Sequence, residues 1–188
     1  MKRITMAAAL VLVAFAANAE NEMQLRAGIA ASFSDYKGDA SFPVSDSGVG
    51  LQVYGQAQLN SWFGIEGGYY NSGGFETDLN ASEDGGNTEL SFSGFNLSVV
   101  GYLPIGGADS DIDLFGKIGM YDYDIDIDTL LEGGTTDQGS LGHATGLLLG
   151  AGAIVKVSET IGIRTVFDWY DVDNADLWAV SLGVDFSF

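Results

Sequence analysis

Apolar and polar residues alternate along eight segments of the chain. These segments span residues 25–33, 49–59, 62–70, 89–103, 111–121, 146–157, 161–169 and 179–188. A period of two is typical of a β-strand with one face in an apolar environment. In the last segment, "AVSLGVDFSF", the alternation continues to the final residue, Phe188. The pattern predicts an all-β protein with eight antiparallel strands.

The connections between these segments differ in length in a regular way. Short connections are predicted at 60–61, 105–110 and 158–160, and long polar ones at 35–47, 72–88, 122–143 and 171–176. The phase of the fourth segment slips near Gly94 and Phe95, which predicts a β-bulge there. Short turns at one end and long loops at the other are typical of an up-and-down transmembrane barrel.

The composition of the polar faces separates two kinds of barrel. A soluble barrel or sandwich hides its apolar face and covers the other with many charges. Here the polar faces consist of Gln, Ser and Gly with isolated charges, and after residue 19 the chain has only three lysines. We therefore predict that the apolar faces contact lipid and that a lumen network of charges is formed by Arg26, Glu66, Lys117, Lys156, Arg164, Asp168 and Asp185.

Aromatic residues cluster near the predicted strand ends. Two interfacial girdles of a membrane barrel are predicted from Trp62, Tyr69, Tyr102, Tyr121, Trp169, Trp178, Phe186 and Phe188. The eighth strand is expected to pair with the first, because an unpaired strand edge is costly in lipid.

The first 19 residues have the layout of a secretory signal peptide, with Lys2 and Arg3 before an apolar run and Ala17-Asn18-Ala19 at the end. The domain organisation is therefore predicted as a signal peptide, 1–19, cleaved before Glu20, followed by a barrel, 20–188. The chain has no cysteine and a net charge of −19, which argues against disulfides and against a nucleic-acid partner.

Four stretches resemble the eight-stranded transmembrane domain of the outer membrane protein A family. They are "FGIEGGYYNSG", "VGYLPI", "DIDLFGKIGM" and "GAGAIVKVSETIGIRTVFDWY", in the order of that family. The resemblance implies that Glu66, Lys117 and Arg164 are lumen charges that lock or gate a narrow water path. It also implies that Phe188 belongs to a signal read by the barrel assembly machinery. The sequence departs from the family where a base is expected near 99–100 and an acid near Ile154. The family's periplasmic peptidoglycan-binding domain has no counterpart, so cell-wall anchoring is not implied.

Two groups of residues raise the question of chemistry at the surface. His143 and Thr145 resemble the His-x-Ser pair of a family of lipid A-modifying barrels, although threonine replaces serine. The alternative is that His143 is simply a solvent-exposed histidine with no catalytic role. We expect that the protein is not an enzyme and has no catalytic residue. In "YDYDIDID", Asp122, Asp124 and Asp126 are candidate Ca²⁺ ligands, although alternate strand residues lie about 7 Å apart. We expect no cofactor beyond Ca²⁺ or Mg²⁺ held loosely at acidic loops.

The sequence therefore predicts an integral outer-membrane β-barrel with a structural or narrow-pore role. The alternatives are a surface adhesion or ligand-binding barrel that uses its acidic loops and, less favoured, a lipid A-modifying enzyme. The expected partners are outer-membrane lipid and lipopolysaccharide, with the assembly machinery during insertion, and the barrel is expected to be a monomer.

Overall fold

The computed structural model describes residues 23–38, 45–77, 87–105, 111–130, 136–172 and 175–188. The predicted signal peptide, 1–19, lies outside these residues. The eight strands are β1 (Gln24–Gly38), β2 (Ser45–Gln58), β3 (Phe63–Thr77), β4 (Asn87–Pro104), β5 (Ile112–Leu130), β6 (Thr136–Lys156), β7 (Ile161–Val172) and β8 (Ala175–Ser187). Within the described residues, no helix is long and apolar enough to cross a membrane.

The strands form one closed barrel in which each strand pairs antiparallel with its neighbours in sequence. The barrel closes where β1 pairs with β8, from Arg26 opposite Ser187 to Gly38 opposite Ala175. The backbone N–H of Phe188 donates to the carbonyl of Leu25 at 2.9 Å, which extends this pairing to the last residue. The predicted eight-stranded up-and-down barrel is confirmed.

Local turn chemistry defines one end of the barrel, at which β1 begins and β8 ends; we call it the turn end. Between β2 and β3, the side chain of Asn60 accepts hydrogen bonds from the N–H groups of Trp62 and Phe63 at 2.8 and 2.9 Å. Between β6 and β7, Ser158 Oγ accepts from the N–H of Ile161 at 3.1 Å. Side-chain capping of this kind suits tight connections. The opposite end is called the loop end.

The strands continue well past the predicted segment boundaries at the loop end. Segments 122–130 and 136–143, predicted as part of one long loop, lie in β5 and β6, which contain 19 and 21 residues. The same error applies at the ends of the other predicted long loops. Hydropathy marks where the outward face of a strand leaves an apolar environment, but the backbone pairing between strands does not require an apolar outward face and continues beyond that point.

The predicted bulge in the fourth segment is wrong. β4 alternates without interruption through Gly94 and Phe95, and the nearby register shift lies in β3, between Asn71 and Gly74. The apparent slip arises because Leu90 and Phe92 point inward and are almost fully buried. A second shift occurs between β5 and β6, at Ile125 and Asp126.

Many apolar residues of the barrel wall point outward. Leu97, Met120 and Leu182 expose 62%, 67% and 62% of their surface, whereas polar residues on the opposite face of the same strands are buried, namely Ser98 on β4, Lys117 on β5 and Asp185 on β8. This inversion of the usual soluble arrangement is the arrangement expected in lipid.

Candidate functional site in the barrel lumen

Four buried charges form a central network near the middle of the lumen. Lys117 Nζ on β5 lies 3.3 Å from Glu66 Oε1 on β3 and 3.0 Å from Asp168 Oδ2 on β7. Arg164 Nη2, also on β7, lies 2.6 Å from Glu66 Oε2. Because buried charges are costly unless paired, these contacts hold three strands in one arrangement.

A second network lies closer to the turn end. Arg26 on β1 lies 3.7 Å from Asp113 on β5 and 3.7 Å from Asp185 on β8. Lys156 Nζ on β6 lies 3.3 Å from Asp113. Tyr54 Oη on β2 donates to Asp185 Oδ2 at 2.8 Å. This set therefore connects five strands, β1, β2, β5, β6 and β8.

The structure places all seven of the predicted lumen charges in these two networks. Two members were not predicted: Asp113, whose inward position the alternation of the fifth segment already indicated, and Tyr54. With Asp113, the two networks contain four bases and four acids, so their formal charges cancel. Balance of this kind lets a narrow barrel bury charge without a counterion.

An apolar cluster occupies the lumen alongside these charges. It consists of Val100, Tyr102, Phe115, Ile154 and Val166. Val100 and Ile154 lie at or beside the positions where the family resemblance implies a base and an acid. The ring of Phe115 also lies below the guanidinium of Arg164, with Cζ 4.5 Å from the ring centroid. Apolar packing therefore replaces those implied charges.

A larger aromatic cluster fills the lumen toward the loop end. The rings of Tyr70, Tyr123 and Tyr170 contact one another with centroids 5.5 to 5.6 Å apart. Tyr70 also shares a short hydrogen bond with the hydroxyl of Ser34. The remaining members of this aromatic cluster are Tyr36, Phe75, Leu90, Phe92, Tyr121, Leu148, Leu177 and Ala179.

The girdle prediction is wrong for two of its residues. Tyr102 and Tyr121 are 5% and 2% exposed and face the lumen; Tyr121 Oη donates to the carbonyl of Asp171 at 2.7 Å. A hydroxyl lets a tyrosine serve inside a polar lumen, so aromaticity alone does not define the outward face. The structure places the other six on the outward side, at Trp62, Tyr69, Trp169, Trp178, Phe186 and Phe188.

The outward face of β5 is apolar at Leu114, Ile118 and Met120, which belong to an apolar band around the barrel. Beyond this band, toward the loop end, the same face is acidic. His143 Nε2 lies 2.7 Å from Asp122 Oδ1, and His143 Nδ1 lies 3.4 Å from Asp124 Oδ1. Both ring nitrogens therefore face carboxylates, and the exposed Thr145 lies on the same open surface, in register with Asp122. This is not the arrangement of a base that activates a hydroxyl, which requires a nitrogen directed at that hydroxyl.

The candidate metal ligands do not converge. Asp122, Asp124 and Asp126 follow one another along one strand, and no group of three acidic or histidine side chains in the described part of the chain is arranged to hold a metal ion. The geometry gives no support to a specific metal site at these three residues.

The chain belongs to the outer membrane protein β-barrel domain family, whose model matches residues 5–188. It is similar in fold to Ail, the attachment invasion locus protein of Yersinia pestis, solved in complex with the heparin analogue sucrose octasulfate (TM-score 0.62, 16% identity, 89% of this chain and 100% of that chain). Neisserial surface protein A is similar at a TM-score of 0.58 and 14% identity, over 88% of this chain and 97% of that one. The outer membrane protein OprG of Pseudomonas aeruginosa is similar at a TM-score of 0.57 and 16% identity, over 88% of this chain and 95% of that one. No curated protein matches the chain.

The protein is therefore an outer-membrane β-barrel. In bacterial barrels of this kind, short turns face the periplasm and the longer connections face the outside. By this rule the turn end is expected to face the periplasm, and the aromatic cluster and the acidic face of β5 are expected to lie toward the cell exterior.

Proposed function

We propose that this protein is a closed structural barrel of the outer membrane rather than a pore. The observation that carries the proposal is the content of the lumen: two charge networks with an apolar cluster beside them, and an aromatic cluster toward the loop end. An eight-stranded barrel has room for little more than its own side chains. An ion that crosses the barrel has to displace side chains of both the apolar cluster and the aromatic cluster.

Conductance in planar lipid bilayers tests this proposal. The intact barrel is expected to give no stable conductance steps under conditions in which a larger porin conducts. A Phe115→Ala, Tyr102→Ala double variant, which removes both rings of the apolar cluster, is the matched comparison and is expected to leak more. Reproducible ion-selective steps from the unaltered protein would contradict a closed barrel.

A second candidate, surface binding of a basic partner, is favoured by the acidic outer face. Residues 118–155 contain no Lys or Arg, and Glu89, Asp124 and Asp128 point outward from β4 and β5. The sulfated ligand of Ail is a poor guide here, since this face repels polyanions. Binding of a fluorescent polylysine to the barrel in nanodiscs, compared with sucrose octasulfate, separates the two classes of ligand. Loss of polylysine binding in an Asp122→Asn, Asp124→Asn, Asp128→Asn variant is expected.

We propose that residues 1–19 are removed on export, that the barrel inserts as a monomer with the help of the assembly machinery, and that lipopolysaccharide surrounds its outer half. No catalytic role is proposed, because His143 lies on an open surface between two carboxylates. A lipid A-modification assay comparing the protein with His143→Ala tests this, and a loss of activity in the variant contradicts it.

A further inference from the structure

Three residues form one row across the seam where the barrel closes. Gly28 on β1 is in register with Tyr54 on β2 and with Asp185 on β8. All three face the lumen. The row therefore joins the second strand of the chain to the last one, across the first.

The tyrosine side chain crosses the whole width of β1. Tyr54 Oη donates a hydrogen bond to Asp185 Oδ2 at 2.8 Å, so its ring lies directly over Gly28. A Cβ at position 28 would lie 2.2 Å from Tyr54 Oη and 2.3 Å from Tyr54 Cζ. Only glycine leaves the space that this crossing needs.

Neighbouring charges hold both ends of the crossing in place. Arg164 Cζ lies 4.1 Å from the centroid of the Tyr54 ring, on the lumen side. Arg26 Nη1 lies 3.7 Å from Asp185 Oδ1. Both the tyrosine and the aspartate are buried, so the hydrogen bond has little competition from bulk water.

We propose that Tyr54, Gly28 and Asp185 form a latch that keeps β8 on β1 and so keeps the barrel closed. The pairing of β1 with β8 joins the two most distant strands of the chain, and it is the pairing with the largest loop-closure cost. The Tyr54–Asp185 hydrogen bond exists only when this seam is closed. It therefore stabilises the closed barrel over a form that is paired everywhere except at the seam.

Hydrogen exchange of the refolded barrel in lipid nanodiscs tests the latch, with β1 and β8 amides compared with those of β4 and β5. In Tyr54→Phe we expect seam amides to exchange about tenfold to a hundredfold faster, as for a lost hydrogen bond to a buried charge. The amides of β4 and β5 are expected to change far less. Tyr102→Phe is the matched control, because Tyr102 is a buried lumen tyrosine whose hydroxyl has no hydrogen-bond partner among the described residues.

Substitutions of glycine residues test the latch independently. Gly28→Ala is expected to open the seam or to prevent folding, whereas Gly55→Ala, at the neighbouring row of β2, adds a Cβ that meets nothing within 4 Å and is expected to be neutral. Equal exchange in Tyr54→Phe and Tyr102→Phe overturns the latch. So does an equal acceleration of exchange at the seam and in β4 and β5, which would indicate general destabilisation.

Discussion

The carboxylate of Glu66 lies 2.6 Å from the guanidinium of Arg164, and both groups are buried inside the barrel. Lys117 approaches the other oxygen of the same carboxylate. One acid on β3 thus pairs with cations from both β5 and β7.

Replacement of Glu66 by glutamine should therefore destabilise the barrel by about 3–5 kcal/mol, because it leaves two buried cations with one carboxylate, Asp168, between them. Urea unfolding in lipid vesicles measures this loss. The control is Glu159→Gln, which neutralises an exposed acid in the connection between β6 and β7. Similar unfolding midpoints for the two variants would show that the central network contributes little.

Gly150 provides the space in which Lys117 reaches its partners. A Cβ at this position would lie 2.3 Å from Asp168 Oδ1 and 2.7 Å from Lys117 Cε. Gly150→Ala is accordingly expected to cost about 1–3 kcal/mol of stability, as overpacking does in other cores. Gly116→Ala, on the lipid-facing side, meets no atom closer than 3.8 Å and is the control. Equal unfolding midpoints for the two alanine variants would show that the central network does not need the space at Gly150.

An arginine on the apolar band should be costly although the site is exposed. Leu97 lies on the outward face of β4, and Leu97→Arg is expected to lose about 2–4 kcal/mol, as arginine does near the midplane of a bilayer. Thr145→Arg, on the acidic outer part of β6, should be neutral or slightly stabilising. The free energies of unfolding of the two variants are compared by refolding them into lipid vesicles. An unchanged stability for Leu97→Arg would mean that this face does not contact hydrocarbon.

Divalent cations should stabilise the outer half of the barrel. Glu89 on β4 and Asp128 on β5 are directly paired and point outward, so their like charges repel. In detergent, the thermal unfolding temperature is expected to rise when Mg²⁺ is added and to fall back when a chelator is added. The rise is expected to exceed that caused by sodium chloride at equal ionic strength. Glu89→Gln should reduce the response. A transition indifferent to chelator argues against this screening.

Period-two alternation was sufficient to predict the number of strands, their order and which face meets lipid. Its success depends on a simple cause: in a membrane barrel the hydrocarbon requires apolar residues on every second position. The prediction fails where that cause ends. Leu90 and Phe92 point inward, because the lumen toward the loop end is itself apolar, and the sequence then shows a phase slip although the strand is continuous.

The charges of the lumen were predictable residue by residue, but their partners were not. Alternation places Arg26 and Asp185 on the inner face, yet only the register of β1 with β8 brings them together. For Tyr102 and Tyr121 the sequence-based prediction placed the side chain on the wrong face of the strand. A tyrosine suits both the membrane interface and a polar interior, and only the position along the alternation, which puts both on the inward face, distinguishes these two environments.

A spin-label scan along β4 measures which face of the strand meets hydrocarbon and which faces the lumen. The chain has no native cysteine, so single cysteines can be placed at each residue from 95 to 100. With the barrel in lipid, labels at Phe95, Leu97 and Val99 are expected to collide with oxygen and not with a water-soluble nickel reagent. Labels at Asn96, Ser98 and Val100 should be shielded from both. Ready collision of the nickel reagent with labels at the first three positions would contradict the account.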